Sequence, residues 1–499
     1  MAEFHPNRDK GRIFVGRQRE MAELKAALDD ALAGHGRPVM LVGEPGIGKT
    51  RTAQELASHA ERRGVQILWG WCYEEAGAPP YWPWVQPIRS YVQQRNPERL
   101  HAEMGPGAAD IAAIVPELRA ELPGLETPPA LEPEAARFRL FDSITTFLKN
   151  AAQSQPLMLV LENLHWADKP SLLLLEFLAR QMADCRLLVV GCYRDMELSR
   201  QHPLSESLAQ LSREPVFRRQ TLRGLNQEDI GPFVEATAGV QVPYDLADTL
   251  YSHTEGNPFF LNEVIRLLAD QGDLVERSVG APLEIRVPEG VREVIGRRLN
   301  RLSQHCNRVL QTASIVGREF DFGLLNALDH GSDEGDLLTA VEQAVGAYLI
   351  EEVPGAGERY RFTHALIQET LSEELTTSRR VRPHAQIAEV LEELYGDGVE
   401  THAAELAHHF AEAEPMLGPD KLVGYSLLAG EQALATYAFE EALGYFQIGL
   451  EARSVLLGGT EPAPDGETAA LLLGLGRVQG VAVPQYLIRG TAGLRSGTA

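Results

Sequence analysis

The stretch MLVGEPGIGKTRTAQELA, residues 40–57, places three glycines and a proline between an apolar run and a helix-forming run. Within it, Gly43, Gly48, Lys49 and Thr50 have the spacing G-x-x-x-x-G-K-S/T, which is typical of a phosphate-binding loop. Glycines let backbone N–H groups turn toward phosphate oxygens without a clash from a Cβ atom. The stretch therefore predicts a nucleotide-binding protein.

The flanks of the loop give the motif its required context. The run RPVMLVG (37–43) predicts a buried parallel strand, and RTAQELASHAERRG (51–64) predicts a helix that ends near Gly64. The helix N-terminus adds its positive dipole end to the loop. In that arrangement we expect Lys49 to neutralise the β- and γ-phosphates and Thr50 to hold Mg²⁺.

A second apolar run ends in an acid. Residues 157–161 lead into Glu162 and Asn163, and acids at the carboxyl ends of strands lie where open α/β sheets bind ligands. We therefore expect Glu162 to reach the Mg²⁺ ion with Thr50. The alternative is an acid that merely ends a strand.

A third predicted strand, CRLLVVGCYRD (185–195), carries Arg194 just past its apolar part. A guanidinium at that edge of the sheet is placed to sense a γ-phosphate. The alternative is a surface arginine without a specific contact.

Length and composition limit the function classes. A chain of 499 residues predicts roughly two to four domains, and a net charge of −24 argues against a large nucleic-acid or anionic-membrane surface. The N-terminus has no apolar signal core, and no run approaches the ~20 apolar residues of a membrane span. The four cysteines lack the spacing of a zinc site and are expected to be buried or indifferent thiols. We expect a cytoplasmic protein.

Several motifs together resemble a known family, the signal-transduction ATPases with numerous domains (STAND). The branch includes large LuxR-type transcriptional regulators and cyclase-associated AAA-like ATPases. The motifs that carry the resemblance are FVGRQREMAEL (14–24), GEPGIGKT (43–50), APPYWPWVQ (78–86), LVLENLHWAD (159–168), GCYRD (191–195), TEGNPFFLNEV (254–264), VPEGVREVIGRRL (287–299), GREF (317–320) and RFTHALIQETL (361–371).

The resemblance implies ATP or ADP with Mg²⁺ as ligands and assigns roles to matching residues. Pro258 would pack on the adenine, and His364 would face the β-phosphate, although a structural histidine at the start of an amphipathic helix is the alternative. The residues at the adenine and ribose end would be Val15, Gly16 and Arg17. The phosphate loop would comprise Gly43, Glu44, Pro45, Gly46, Ile47, Gly48, Lys49, Thr50 and Arg51.

The sequence departs from the family pattern at one catalytic position. The family usually has two acids at the end of the strand that holds the metal, and here the pair is Glu162–Asn163. An amide can orient water but cannot take its proton. Nucleotide binding is therefore expected, while hydrolysis is expected to be slow or absent. Asp168, six residues further on, is expected to be an N-cap or interface residue and not a replacement base.

The fold class predicted is an α/β P-loop NTPase core with a parallel sheet, AAA/STAND-like, followed by helical, winged-helix-like and TPR-like α-helical domains. Arg297, Arg298 and Arg301 are expected to solvate a helix face, and contact with phosphates is the alternative. The predicted divisions are a polar tail (1–12), the P-loop core (13–225), a helical domain (226–285), a winged-helix-like domain (286–395), a TPR-like segment (396–479) and an aberrant or disordered tail (480–499).

The C-terminal helices contain about one tetratricopeptide-like unit, in which Gly430, Phe439, Ala442 and Phe446 have the spacing of contact residues. Such arrays need three or more units, so we expect a chain cut short by truncation or a frame change. No LuxR-type DNA-binding helix-turn-helix is recognisable in the sequence.

Three functions fit these observations. The first is a nucleotide-gated switch whose partners are ATP, an inducer or protein bound by the C-terminal helices, and other copies in the ATP state, with no membrane and no direct DNA binding expected. The second is a non-hydrolysing nucleotide-binding scaffold, which Asn163 favours. The third, ranked below both, is a P-loop phosphotransferase.

Overall fold

The structure is a computed structural model of the 499-residue chain. It describes residues 14–73, 77–126, 128–129, 131–195, 199, 202–270, 295–296, 298–329, 334–353, 358–373, 377–453 and 465–482. The predicted polar tail and most of the predicted C-terminal tail lie outside the described residues.

Five parallel strands form the sheet of the N-terminal core in the order β5-β1-β4-β3-β2. The side chains of β3 and β4 are buried along their whole length, as expected for a parallel sheet covered on both faces. This arrangement confirms the predicted α/β P-loop core. The strands are β1 Arg37–Val42, β2 Gln66–Trp71, β3 Leu157–Glu162, β4 Leu187–Tyr193 and β5 Arg218–Thr221.

Helices cover both faces of the sheet. The helix after the phosphate loop ends at Glu61, one turn before the predicted Gly64, whose φ of 78° ends the following turn. Tyr81 and Trp84 of the APPYWPWVQ motif are fully buried, so these two rings belong to the core. The helices are α1 Gln18–Leu32, α2 Lys49–Glu61, α3 Trp82–Gln93, α4 Pro97–Met104, α5 Ala108–Ile111, α6 Leu118–Glu121, α7 Pro133–Ser154, α8 Lys169–Gln181 and α9 Pro203–Leu211.

Three helices follow the sheet. Asn226 begins the first of them as its N-cap, in a capping box with Asp229, as its sequence predicts. The third begins at Pro258, where proline is favoured because a first-turn N–H has no partner inside the helix. The helices are α10 Gln227–Ala238, α11 Tyr244–Thr254 and α12 Pro258–Asp270. The boundary predicted at 285 lies outside the described residues.

The next unit combines helices with a three-stranded antiparallel sheet of order β6-β8-β7. Strands β7 and β8 pair as an antiparallel hairpin. Of the residues between them, 354–357 lie outside the described residues. The unit has its own apolar core, which includes Phe320 and Phe362. Its elements are α13 Gln304–Val316, β6 Glu319–Asp321, α14 Phe322–Leu328, α15 Glu334–Gly346, β7 Ile350–Glu352, β8 Arg359–Phe362 and α16 Ala365–Glu373.

The rest of the described chain is helical. A Cβ atom on Gly430 would clash with the ring of Phe446, so the predicted small and aromatic contact residues do pack together. Among the described residues, no helix is long and apolar enough to cross a membrane. The helices are α17 Thr377–Tyr395, α18 Ala403–Glu412, α19 Glu414–Leu417, α20 Asp420–Ala435, α21 Phe439–Ala452 and α22 Gly466–Ala482.

The last three helices, α20–α22, pack back on the N-terminal core, and we call them the C-terminal arm. Phe439 and Phe446 belong to the same apolar cluster as the helices that cover the parallel sheet. The guanidinium of Arg137 on α7 lies 5.2 Å from the centre of the Phe439 ring. The arm is therefore joined to the N-terminal core through buried apolar surface.

A half-buried pair of acids lies at this contact. Asp168 is the N-cap of α8 and accepts a hydrogen bond from the backbone N–H of Ser171 at 2.8 Å, which confirms its predicted capping role. Glu441 of the arm accepts one from the N–H of Lys169 at 3.2 Å. Burial, with the Asp168 carboxylate as the next cause, raises the pKa of Glu441 to about 8.

We expect Glu441→Gln to flatten the pH dependence of stability above pH 5. The pKa of Glu441 is higher in the folded chain than its ordinary value of 4.5, so the stability that it contributes is lost as the pH rises toward about 8. The variant should be about 1–2 kcal/mol more stable than the parent at pH 9. The measurement is the thermal unfolding midpoint against pH. Its neighbour Glu440, which faces Arg137 at 3.6 Å, gives the control Glu440→Gln. An unchanged slope in Glu441→Gln would contradict the expectation.

Candidate functional site

The carboxyl ends of the parallel strands meet at one edge of the sheet and open into a cavity of about 1400 Å³. The order of the strands places the phosphate loop after β1, Arg194 after β4 and Glu162 at the end of β3 on this edge. Of the predicted site residues, those that line the cavity are Val15, Pro45, Gly46, Gly48, Lys49, Thr50, Arg51, Asn163, Arg194, Pro258 and His364. The predicted site residues that do not line the cavity are Gly16, Arg17, Gly43, Glu44, Ile47 and Glu162.

Three glycines of the loop have backbone conformations that side chains oppose. Gly43, Gly46 and Gly48 have φ angles of 156°, 78° and 96°. A Cβ atom on Gly43 would lie 2.6 Å from the carbonyl oxygen of Leu222, and one on Gly46 would lie 2.8 Å from the Cβ of Phe259. The loop therefore needs glycine both for its turn and for the close approach of its neighbours.

Lys49 is held inside the loop. Its side chain is largely buried, and its ammonium donates hydrogen bonds to the carbonyl oxygens of Gly43 at 2.7 Å and Glu44 at 2.9 Å. An ammonium has three N–H donors, so a third remains for a phosphate oxygen. Burial lowers the pKa of Lys49 to about 8, and the nearby Arg194 acts in the same direction.

Thr50 and Glu162, the two predicted magnesium ligands, are in direct contact. The Thr50 hydroxyl donates to Oε2 of Glu162 at 3.0 Å, and Glu162 is only 2% exposed. The other carboxylate oxygen, Oε1, is buried without a hydrogen-bond partner among the described residues. Burial raises the pKa of Glu162, which a cation would offset. A hydroxyl and an unsatisfied carboxylate oxygen are ligands that suit Mg²⁺.

Asn163 follows Glu162 in a left-handed conformation with a φ of 59°. Its amide nitrogen lies 3.5 Å from the carbonyl oxygen of Cys72, a contact at the limit of hydrogen bonding. The residue lines the cavity with Lys49 and Thr50. As an amide it cannot act as a base, and its role in orienting water stays a prediction.

Arg194 is buried and joins two parts of the molecule. Its guanidinium forms an ion pair with Glu369 of α16 at 2.9 Å and lies 5.0 Å from the centre of the Trp166 ring. Only 6% of the residue is exposed, so the alternative of a surface arginine without a specific contact is wrong. The contact reaches 175 positions along the chain, into the unit that follows α12.

Residues at the start of α12 bind the loop directly. The side-chain amide of Asn257 donates to the carbonyl oxygen of Pro45 at 3.0 Å, and the N–H of Phe259 donates to that of Gly46 at 3.3 Å. Between them, Pro258 lies beside Gly48, with its Cγ 4.0 Å from the place of a Gly48 Cβ. The role of Pro258 toward the adenine stays a prediction.

The N-terminal motif supports the loop from the other side. Arg17 has a φ of 66°, donates to the carbonyl oxygen of Ile47 at 2.9 Å and pairs with Glu20 at 3.2 Å. Gly16 packs against Asp229 of α10 so closely that a Cβ atom would lie 2.7 Å from its carboxylate. These contacts tie the motif to the loop and to α10, and its nucleotide contacts stay predictions.

His364 lies between β8 and α16. Its Nδ1 accepts the N–H of Leu366 at 3.1 Å, and its ring stacks on that of Phe259 at 3.9 Å between centroids. Burial, with the positive charges of Arg318, Arg194 and Lys49, lowers the pKa of His364 to about 3. The ring is therefore neutral at pH 7 and faces the cavity as a hydrogen-bonding group, not as a cation.

Arginines that the sequence analysis did not assign dominate the cavity. Arg298, expected on a solvated face, is only 7% exposed and donates to Glu263 and to the carbonyl of Ala347, so that expectation is wrong; Arg297 lies outside the described residues. The described lining of the cavity contains one acidic residue, Glu351, and eight basic residues. The basic residues are Lys49, Arg51, Arg194, Arg266, Arg298, Arg301, Arg318 and Arg361. In a chain of net charge −24, such a cavity attracts a polyanion.

Arg318 is the most informative of these residues. It belongs to the GREF motif. Burial lowers the pKa of Arg318, and the negative charge of Glu162 is the largest effect in the opposite direction. Arg318 thus brings a positive charge near Glu162 from the unit that contains β6–β8. Trp69 and Trp71 of β2, whose rings stack at 5.7 Å, also line the cavity and were not predicted.

Known proteins support part of this picture. Residues 13–190 match the family described as AAA ATPase domain, which supports an AAA-type P-loop ATPase over this part of the chain. An uncharacterized protein of Rhizobium meliloti (strain 1021) is 23% identical over 466 residues, which are 88% of this chain and 43% of that protein. The chain thus spans less than half the length of this curated relative.

Solved structures resemble the chain more distantly. A STAND protein with a tetratricopeptide repeat sensor from Pyrococcus horikoshii has a TM-score of 0.48 at 16% identity, over 88% of this chain and 58% of that one. The Aeropyrum pernix ORC1 protein, solved in complex with DNA, has a TM-score of 0.32 at 16% identity, over 74% of this chain and 95% of that one.

Proposed function

We propose that the chain is a STAND-type signal-transduction ATPase that acts as a nucleotide-gated conformational switch. The observation that carries this proposal is the ion pair between Arg194, at the edge of the parallel sheet, and Glu369, in the unit after α12. It links the phosphate end of the cavity to a separate part of the chain. A nucleotide that competes for Arg194 would change how these parts hold together.

The competition has a physical basis. To bind a γ-phosphate, the guanidinium of Arg194 would exchange the carboxylate oxygen of Glu369 for a phosphate oxygen. ATP and Glu369 would therefore compete for Arg194. ADP lacks the γ-phosphate and leaves the ion pair in place. The two nucleotides would therefore favour two arrangements of the same parts, which is what a ligand-driven switch requires.

Different residues of this chain would bind the phosphates, hold Mg²⁺ and orient water. Lys49 and the loop N–H groups would bind the β- and γ-phosphate oxygens, and Arg318 would add charge from the unit that contains β6–β8. Mg²⁺, when bound through Thr50 and Glu162, supplies neutralising charge to the phosphates. Hydrolysis would be slow, because Asn163 orients water without removing its proton.

The biological setting follows from the motif resemblance. We place the protein with the large LuxR-type transcriptional regulators, with a winged-helix-like unit that clamps the nucleotide and TPR-like C-terminal helices that bind an inducer or a protein partner. The ATP state would self-associate. All four cysteines are free thiols, which supports a reducing cytoplasmic location.

A non-hydrolysing scaffold is the second candidate, and Asn163 is the observation that favours it. In that case ATP or ADP would be a permanent structural ligand between the sheet edge and α12. The two candidates differ in turnover and in discrimination between nucleotides, so both can be separated by measurement.

Glu369→Gln is expected to increase the affinity for ATP about tenfold relative to ADP. The change removes the charge that competes for Arg194 and leaves a side chain of the same size. Calorimetric titrations of the full chain with each nucleotide and Mg²⁺ measure the ratio of the two dissociation constants. Glu342, exposed on α15 of the same unit, gives the control Glu342→Gln. An equal change for both nucleotides would refute the competition.

A further inference from the structure

Three histidines meet where α17 crosses α18, away from the nucleotide cavity. His384 lies on α17, and His408 and His409 lie on α18. One ring nitrogen of each residue lies within 4.8 Å of those of the other two, and Nδ1 of His384 is 2.9 Å from Nδ1 of His409. The ring centroids are separated by 5.1–5.7 Å.

The cluster is held in the neutral form that metal ions bind. His384 and His409 are 8% and 2% exposed, and His408 is partly buried. Burial lowers the pKa of His384 to about 4 and that of His409 well below its ordinary range, and burial also lowers that of His408. Each ring thus keeps an unprotonated nitrogen with a lone pair at pH 7.

We propose that His384, His408 and His409 form a binding site for a divalent transition metal ion of the zinc type, with a fourth position open to water. Imidazole nitrogens are the donors that zinc, copper, iron and nickel prefer. Nitrogens that bind tetrahedral zinc at about 2.0–2.1 Å lie about 3.3 Å apart. The separations in the cluster, from 2.9 Å to at most 4.8 Å, bracket that distance.

The surroundings favour a cation. The carboxylates of Glu412 and Glu405 oppose the lowering of the His408 pKa, so both lie near enough to act on a charge there. Glu405 also accepts the hydroxyl hydrogen bond of Tyr395 at 2.9 Å, which fixes its position. A bound ion would fasten α17 to α18, at the point where the chain enters its C-terminal helices.

The bland alternative is a plain helix–helix contact. One Nδ1–H of the pair His384 and His409 can donate to the other Nδ1, and this bond alone would satisfy both atoms. It gives no role to His408, although a ring nitrogen of His408 lies within 4.8 Å of those of the other two histidines. The two possibilities differ in whether the folded chain takes up an ion.

The test uses the full chain, treated with a chelator and kept free of nucleotide and magnesium, and Co²⁺ as the spectroscopic probe. We expect one equivalent of Co²⁺ to give the visible bands of a tetrahedral nitrogen-rich site, and Zn²⁺ to displace it. His408→Gln should weaken Co²⁺ binding about 100-fold or more. His253, exposed on α11 and outside the cluster, gives the control His253→Gln, which should bind like the parent.

Three results would overturn the proposal: no uptake of Co²⁺ by the folded parent chain, uptake that His408→Gln does not change, or a cobalt–thiolate band that indicates a cysteine ligand. Because the first result needs no variant, the test holds even if a variant fails to fold. Thermal melts add a second readout, since Zn²⁺ should raise the unfolding temperature of the parent but not of His408→Gln. None of these outcomes depends on nucleotide binding.

Discussion

Lys49→Ala is expected to weaken ATP binding about 100-fold. The change removes the ammonium that lies within the loop and donates to the Gly43 and Glu44 carbonyls. A hydrogen bond between two charged groups is worth roughly 3 kcal/mol when it is shielded from water, which corresponds to about two powers of ten. Calorimetric titration of the folded variant with ATP and Mg²⁺ measures the loss.

The control for this variant removes a positive charge elsewhere. Arg19 has a side chain that is 88% exposed and pairs only with Glu23 on the same helix at 3.1 Å, so Arg19→Ala should bind ATP like the parent. Equal affinity of Lys49→Ala and the parent would mean that the loop does not hold the phosphates. Equal losses in both variants would indicate attraction by overall charge and not a specific contact.

Asn163→Asp is expected to increase ATP turnover about 100-fold, the lower end of what a positioned general base contributes. Aspartate has the shape of asparagine and tolerates the left-handed backbone, here with a φ of 59°, nearly as well. The new carboxylate would stand beside Glu162 near Arg318, in a position to accept a proton from water. Steady-state phosphate release at saturating ATP measures the gain.

A second asparagine in the same cavity provides the control. Asn262 lines the cavity from α12, so Asn262→Asp adds the same charge at a distance from the two predicted magnesium ligands. It should leave turnover unchanged. An Asn163→Asp variant that binds ATP and still shows no turnover would refute the expectation and favour the scaffold.

The core of the site could be predicted because its signals are local. A glycine-rich loop between a strand and a helix, and an acid or arginine at the end of an apolar run, each occupy about ten consecutive residues. Once the strands are parallel, their carboxyl ends share one edge, and Lys49, Glu162 and Arg194 are brought together. The prediction of phosphate binding at this edge therefore rests on the sequence pattern and the topology alone.

The remainder depends on contacts between distant parts of the chain. Arg298 was expected on a solvated face because arginine usually is, but its partner Glu263 lies 35 positions away and buries it. No sequence pattern marks Glu369 as the partner of Arg194, because the contact depends on how α16 packs in the fold. The histidines of α17 and α18 are separated by 25 positions, and nothing in their spacing predicts that they meet.

The packing of the C-terminal arm on the sheet domain limits how a signal can leave the molecule. Phe439 lies against Arg137 of α7, and the arm shares one apolar cluster with the helices of the N-terminal core, so detachment of the arm would expose apolar surface to water. Such surface adheres to whatever similar surface is nearby, including a second copy. Detachment and self-association would then be coupled, and the extent of both would increase with the concentration of the protein.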